Sequence, residues 1–253
     1  MAKDGKERFT NRVDTYVKYR PSYPKAAIDF LYVTVGLRAG DEVADVGAGT
    51  GIFSRLLLER GSRVTALEPN EAMRQAAERA SAGEPGFRAL AGSAEETGLP
   101  AGSVDAVVCA QSFHWFDRNA ARAEFKRILK PGGKVVLIWN TRKTTGSAFL
   151  EGYDRLVHTY SPDYKDVGHK NISRETLVSF FAPGWPKEAT FPQAQLFDFE
   201  GLSGRLQSSS YIPVPGHPSY EPMMTDLRRL FDRSQADGRV SFDYETEVYW
   251  GEV

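Results

Sequence analysis

A glycine-rich turn between a strand and a helix constrains this chain more than any other feature. In "EVADVGAGTGIFSRLLLER", residues 42–46 read as a buried strand and residues 52–60 as a helix. Gly47, Gly49 and Gly51 stand between them, where small residues let a ligand approach the backbone at a helix N-terminus. The alternation continues along the chain. Strands are expected at 63–67, 87–90, 104–110 and 133–139, and helices at 71–81 and 119–129. Strands and helices in this order predict a parallel sheet covered on both faces, with right-handed connections. Helices are expected at 8–19 and 25–37 ahead of this core. After it the pattern loosens to helices at 147–160, 173–181, 200–206 and 221–233. A strand at 188–199, with Pro192 marking an edge or bulge, and a last alternating strand at 239–250 complete the expectation.

The turn also restricts its ligand. Glu68 closes the next strand at the roughly 20-residue offset where a carboxylate accepts from ribose hydroxyls. A dinucleotide fingerprint requires glycine where Ile52 stands, and the G-K-[ST] of a phosphate loop is missing. Asp45, two residues before Gly47, would repel a phosphate and favour a cation. A positively charged, ribose-bearing ligand fits these residues better than a nucleotide.

The totals set outer limits. The formal net charge of −1 over 253 residues gives no field that draws the chain onto nucleic acid. The basic residues among the first 25 read as a solvated helix face. One cysteine, Cys109, excludes an intrachain disulfide. His114, His158, His169 and His217 lack metal-ligand spacing, so no metal is expected. No apolar run approaches the roughly 18 residues of a membrane span, and no apolar h-region follows the charged start. A soluble, cytoplasmic protein is the expectation.

Four motifs in order, "ADVGAGTG", "ALEPN", "GSAEETGLPAGSVDAVVCAQSFHWFD" and "LKPGGKVVLIWN", cover about residues 40–142. Together they resemble the class I S-adenosylmethionine-dependent methyltransferases, of the methyltransferase type 11, ubiquinone-biosynthesis-like branch. "YVKYRPSYP" and "HWF" are more loosely similar to the trans-aconitate methyltransferase type. The resemblance implies an α/β, Rossmann-like, seven-stranded and mostly parallel sheet. Its last strand would be antiparallel, with helices on both faces, an N-terminal helical lid and an inserted lobe. The chain then divides into a lid at 1–38, a cofactor-binding core at 39–142, an acceptor-specificity segment with the sixth strand at 143–236, and a final edge-region strand at 237–253.

The resemblance also assigns roles. Asp45 and Gly47 would line the methionine end of S-adenosyl-L-methionine, Gly49 and Gly51 would belong to the cofactor-binding turn, and Glu68 would bind the ribose. Pro69 and Asn70 would flank the adenine, Ser93 and Ala94 would meet its edge, and Gln111 would lie near the sulfonium. S-adenosyl-L-homocysteine would be the product. Residues beyond the strand ends shape an acceptor pocket: Trp115 after the fourth strand, Trp139, Asn140 and Arg142 after the fifth, and Tyr16, Tyr19 and Arg20 from the lid. Arg20 and Arg142 are candidates to grip a carboxylate. His114 is the candidate general base, against a packing role favoured by Phe113, Trp115 and Phe116. The expected activity is methyl transfer to an O, N or carboxylate of a small molecule. The competing expectations are a methyltransferase acting on RNA or protein, and a non-catalytic cofactor-binding regulatory domain.

Overall fold

A computed structural model describes residues 18–161, 172–209 and 211–253. Seven strands form one sheet: β1 (Glu42–Val46), β2 (Arg63–Leu67), β3 (Phe87–Leu90), β4 (Val104–Ala110), β5 (Leu129–Arg142), β6 (Lys187–Phe197) and β7 (Val240–Gly251). Their order is β3-β2-β1-β4-β5-β7-β6. Strands β1 to β5 pair in parallel, and β7 runs antiparallel to both β5 and β6. The expected mixed sheet is therefore present. The last strand is antiparallel as expected; it pairs on both sides, and β6 takes the edge. A half-buried alternating pattern does not separate an edge strand from its inner neighbour. Pro192 does fit an edge, where its missing N–H is harmless.

Helices cover both faces: α1 (Lys25–Phe30), α2 (Ile52–Leu58), α3 (Glu71–Ala80), α4 (Arg118–Ile128), α5 (Ala148–Tyr160), α6 (Arg174–Phe181), α7 (Phe199–Gln207) and α8 (Tyr220–Ser234). Strand alternation divides the core in two. Val107, Cys109, Val135, Leu137 and Trp139 face α4 and α6, against Phe125 and Phe180. Val43, Val108, Val136 and Ile138 face α1 and α2, against Leu31 and Leu57. Each fully buried aliphatic side chain here contributes roughly 2 kcal/mol. A third cluster packs α5, α7 and α8 around Phe242 and Tyr244 of β7, and this is the inserted lobe.

Side-chain caps set several helix starts where the sequence placed them. Asn70 accepts from the Met73 N–H, Ser147 from Leu150, Ser173 from Thr176 and Asp198 from Gly201. The expected first helix falls mostly outside the described residues. The second ends its α-helical part at Phe30 and continues as one π-turn, Leu31–Val35. It packs on the sheet as a structural layer. Strand β5 begins at Leu129, four residues before its expected start. "KPGG" is a bulge within it, where the register to β4 shifts between Val104 and Ala106. Among the described residues, no helix is long and apolar enough to cross a membrane.

Candidate active site

A cavity of about 440 Å³ opens where β1, β2, β3, β4 and β5 end. Its size suits a small ligand, and it lies where the strand order reverses between β1 and β4. The glycine turn forms one wall. Gly47 has φ 71°, and a Cβ there would stand 2.5 Å from the Ser112 Cβ. Only glycine lets the turn approach the loop after β4 this closely. The Ser112 hydroxyl completes the contact by donating to the Val46 carbonyl at 2.6 Å. Gly49 has no atom within 4 Å of an added Cβ, so its backbone borders open space. Gly51 does not line the cavity. It admits Ala77 of α3, 3.1 Å from an added Cβ.

Glu68 is held from two sides. Its Oε2 accepts from the Gly49 N–H at 2.9 Å and its Oε1 from the Asn70 N–H at 2.8 Å. Each carboxylate oxygen keeps a further lone pair. Burial raises the Glu68 pKa above the usual carboxylate range, and the two backbone donors oppose that rise. Asp45 lies beneath the turn, fully buried, and does not line the cavity. Its Oδ2 accepts from the Ser54 hydroxyl at 2.6 Å, and its Oδ1 has no hydrogen-bond partner among the described residues. Burial pushes its carboxyl up to about 7, with Glu68 adding to the rise and Ser54 opposing it.

The remaining nucleoside-side candidates line the same cavity: Pro69, Asn70, Ser93, Ala94 and Gln111. The Asn70 side chain is already engaged as the α3 cap. Gln111 has φ 61°, rare for a non-glycine residue, and its N–H donates to the Ile138 carbonyl at 2.9 Å. That conformation costs on the order of 1 kcal/mol and ends β4 in a sharp turn at the cavity.

The acceptor-side candidates divide. Arg20, Trp115 and Asn140 line the cavity. Trp139 does not: it is 2% exposed and packs edge-on against Phe113 and Tyr249. Its neighbour Asn140 points the other way, because successive strand residues alternate. Arg142 is also withdrawn, in a 2.5 Å ion pair with Asp154 of α5 and over the Tyr153 ring. Tyr19 lies across α7 at Gly204, where a Cβ would stand 2.2 Å from its ring, and its hydroxyl donates to Glu200. Tyr16 lies outside the described residues, as does most of the expected lid. His114 sits on a 3-10 turn, Phe113–Trp115, with its ring centroid 4.8 Å from that of Trp115, and does not line the cavity.

Sequence reasoning missed Tyr23, Phe53, Met73, Glu95, Phe116 and Arg205, all in the cavity wall. Phe116 stands in the motif already singled out. Arg205 carries no local signal, since only the packing of α7 on β7 brings it there.

This sheet order and glycine turn define a Rossmann-like methyltransferase fold. The solved structure of a protein from Anaeromyxobacter dehalogenans, proposed to be a type II methyltransferase, superposes with TM-score 0.71 at 23% identity. It covers 92% of this chain and 98% of that one. A methyltransferase-domain family model matches residues 44–137. An uncharacterized methyltransferase of Geobacillus kaustophilus is 31% identical over 183 residues, 70% of this chain and 82% of that protein. The chain belongs to the methyltransferase family. An uncharacterized methyltransferase of Mycobacterium tuberculosis is 44% identical over 134 residues, 53% of this chain, and the match spans about half, 52%, of that relative's length.

Proposed function

We propose that the protein is an S-adenosylmethionine-dependent methyltransferase acting on a small molecule. The observation that carries this reading is Glu68, fixed by Gly49 and Asn70 beside a glycine turn whose neighbouring charges are acidic. A carboxylate so held suits a ribose diol. Glu95 in the wall, with Glu68, disfavours phosphate and favours a cation. The open space at Gly49 leaves room for a ligand against the backbone.

When bound, S-adenosylmethionine supplies an electrophilic methyl group, which leaves sulfur with the bonding pair as the acceptor's lone pair forms the new bond. The chain's contribution is placement and exclusion of water. Gln111 and Ser112 bound the cavity between the cofactor side and the acceptor side. Trp115 and Phe116 supply an apolar wall, and Asn140 is held by two contacts: its Nδ2 donates to the Ser22 carbonyl at 3.0 Å and its Oδ1 accepts from Thr246 at 2.6 Å. A general base is needed only for an acceptor that arrives protonated. A cavity of about 440 Å³ favours a small acceptor over a polymer.

Calorimetry decides the reading. S-adenosylmethionine and S-adenosylhomocysteine are expected to bind in the micromolar range, and NAD much more weakly. Tighter binding of NAD would overturn the assignment.

A further inference from the structure

Arg205 of α7 is a buried cation that pairs with no carboxylate among the described residues. It is 7% exposed and lines the cavity. Its Nε donates to the Tyr244 hydroxyl at 2.9 Å, and its Nη1 to the hydroxyls of Ser209 at 3.2 Å and Ser208 at 3.5 Å. Its Nη2 donates to nothing among the described residues, and no carboxylate there pairs with it. Burial raises the Tyr244 pKa, so that hydroxyl is neutral near pH 7 and is no counter-ion. Arg142 shows the contrast, for it has Asp154. A cation taken from water and given only neutral acceptors is under-compensated.

Its surroundings point the unmet charge toward a ligand. Arg20 lines the same cavity and donates from Nη2 to the Ser208 carbonyl at 2.9 Å. Ser208 thus binds both arginines, one through its carbonyl and one through its hydroxyl. The carboxylates of the wall, Glu68 and Glu95, come from the loops after β2 and β3, whereas Arg205 rests on Tyr244 of β7. Strands β1, β4 and β5 lie between them in the sheet order. The cavity is acidic toward one edge of the sheet and basic toward the other.

We infer that Arg205, with Arg20 beside it, forms an anion subsite that holds a carboxylate or phosphate group of the methyl acceptor. This rests on the methyltransferase reading only for what the bound anion is. The anion is gripped and not methylated, because its lone pairs accept from the guanidinium. Another atom of the acceptor forms the bond to the methyl carbon as the carbon–sulfur bond breaks, with its electron pair kept by sulfur. A guanidinium suits this task, since its Nη2 N–H groups remain to donate to an oxygen of a carboxylate or phosphate.

The test uses matched acidic and neutral probes on the full chain, with and without saturating S-adenosylhomocysteine. Benzoate is compared with benzamide, and phenyl phosphate with phenol, by calorimetry at constant ionic strength. At least one acid is expected to bind more than tenfold tighter than its neutral partner, and which acid does so separates carboxylate from phosphate. Arg205→Met should abolish that preference while changing S-adenosylhomocysteine affinity less than twofold. Equal binding of acid and neutral probes by the wild type overturns the subsite, as does no binding of any probe, or a preference that survives Arg205→Met. If that variant does not fold, Arg20→Met and the wild-type comparison carry the test: the acid preference must be present in the wild type and reduced in Arg20→Met. An anion preference without S-adenosylhomocysteine binding would keep the subsite and sink the methyltransferase reading. The reverse pattern would sink the subsite alone.

Discussion

The two ends of the cavity are built in opposite ways. The acidic end is local: Asp45, the glycine turn, Glu68 and Asn70 come from two consecutive strand-to-helix turns, and backbone N–H groups hold its carboxylate. The basic end is assembled from distance. Asn140 is fixed to Ser22, 118 positions away, and Arg20 to Ser208, 188 positions away. The acidic end therefore needs only a correctly folded βαβ unit. The basic end exists only when the lobe docks on β7. On the proposed function, the nucleoside would meet the local end and the acceptor the assembled one.

The largest expected effect lies at the acidic end. Asp45 is raised in the folded protein to about 7 from 3.8, so the folded state holds a proton that the unfolded state has released between those values. Stability then falls as pH rises through that window, by about 4 kcal/mol in total. Asp45→Asn should flatten this dependence, seen as urea midpoints that change less between pH 4 and pH 8 than in the wild type. Identical pH slopes would show that Asp45 carries no such burden.

The glycine turn offers a split between stability and binding. Gly47→Ala drives a Cβ to within 2.5 Å of the Ser112 Cβ and should cost about 3 kcal/mol of stability. Gly49→Ala meets no protein atom within 4 Å, so it should cost only about 1 kcal/mol for its left-handed backbone. Its methyl group instead enters the ligand's space, and S-adenosylhomocysteine affinity should fall at least tenfold. Equal melting temperatures for the two variants would erase the distinction.

The same contrast explains what the sequence revealed. Glycines at the end of a strand and an acid closing the next strand are short-range signals, and the structure joins them through the Gly49 N–H and the Glu68 carboxylate. Trp139 and Asn140 show the next limit: both follow an apolar run, and only the strand's phase decides that one enters the core and the other the cavity. Arg142 and Arg205 show the last. Both are arginines in unremarkable sequence, and their different fates depend on Asp154 and Tyr244, which tertiary packing supplies. The edge position of β6 was hinted by Pro192, whereas the insertion of β7 between β5 and β6 left no mark on its own pattern.

Glu68 sharpens the comparison at smaller magnitude. Glu68→Ala removes a charged acceptor and leaves the Gly49 and Asn70 N–H groups to water. The dissociation constant of S-adenosylhomocysteine should rise at least tenfold, about 1.4 kcal/mol or more. Benzoate or phenyl phosphate binding at Arg205 should stay within twofold. A common loss of both ligands would mean that the two ends are not independent.

The smallest effect is expected at His114. Its ring lies against Trp115 and outside the cavity wall. A general base must stand within hydrogen-bond reach of the proton it removes, directly or through one water. His114→Gln keeps a polar side chain of similar length and removes the imidazole. S-adenosylhomocysteine affinity should remain within twofold of wild type at both pH 6 and pH 8. Once an acidic acceptor turns over, the pH profile of the rate should also be unchanged. A lost acidic limb in the variant would restore His114 as the base, and would mean that the 3-10 turn moves toward the cavity when both ends are filled.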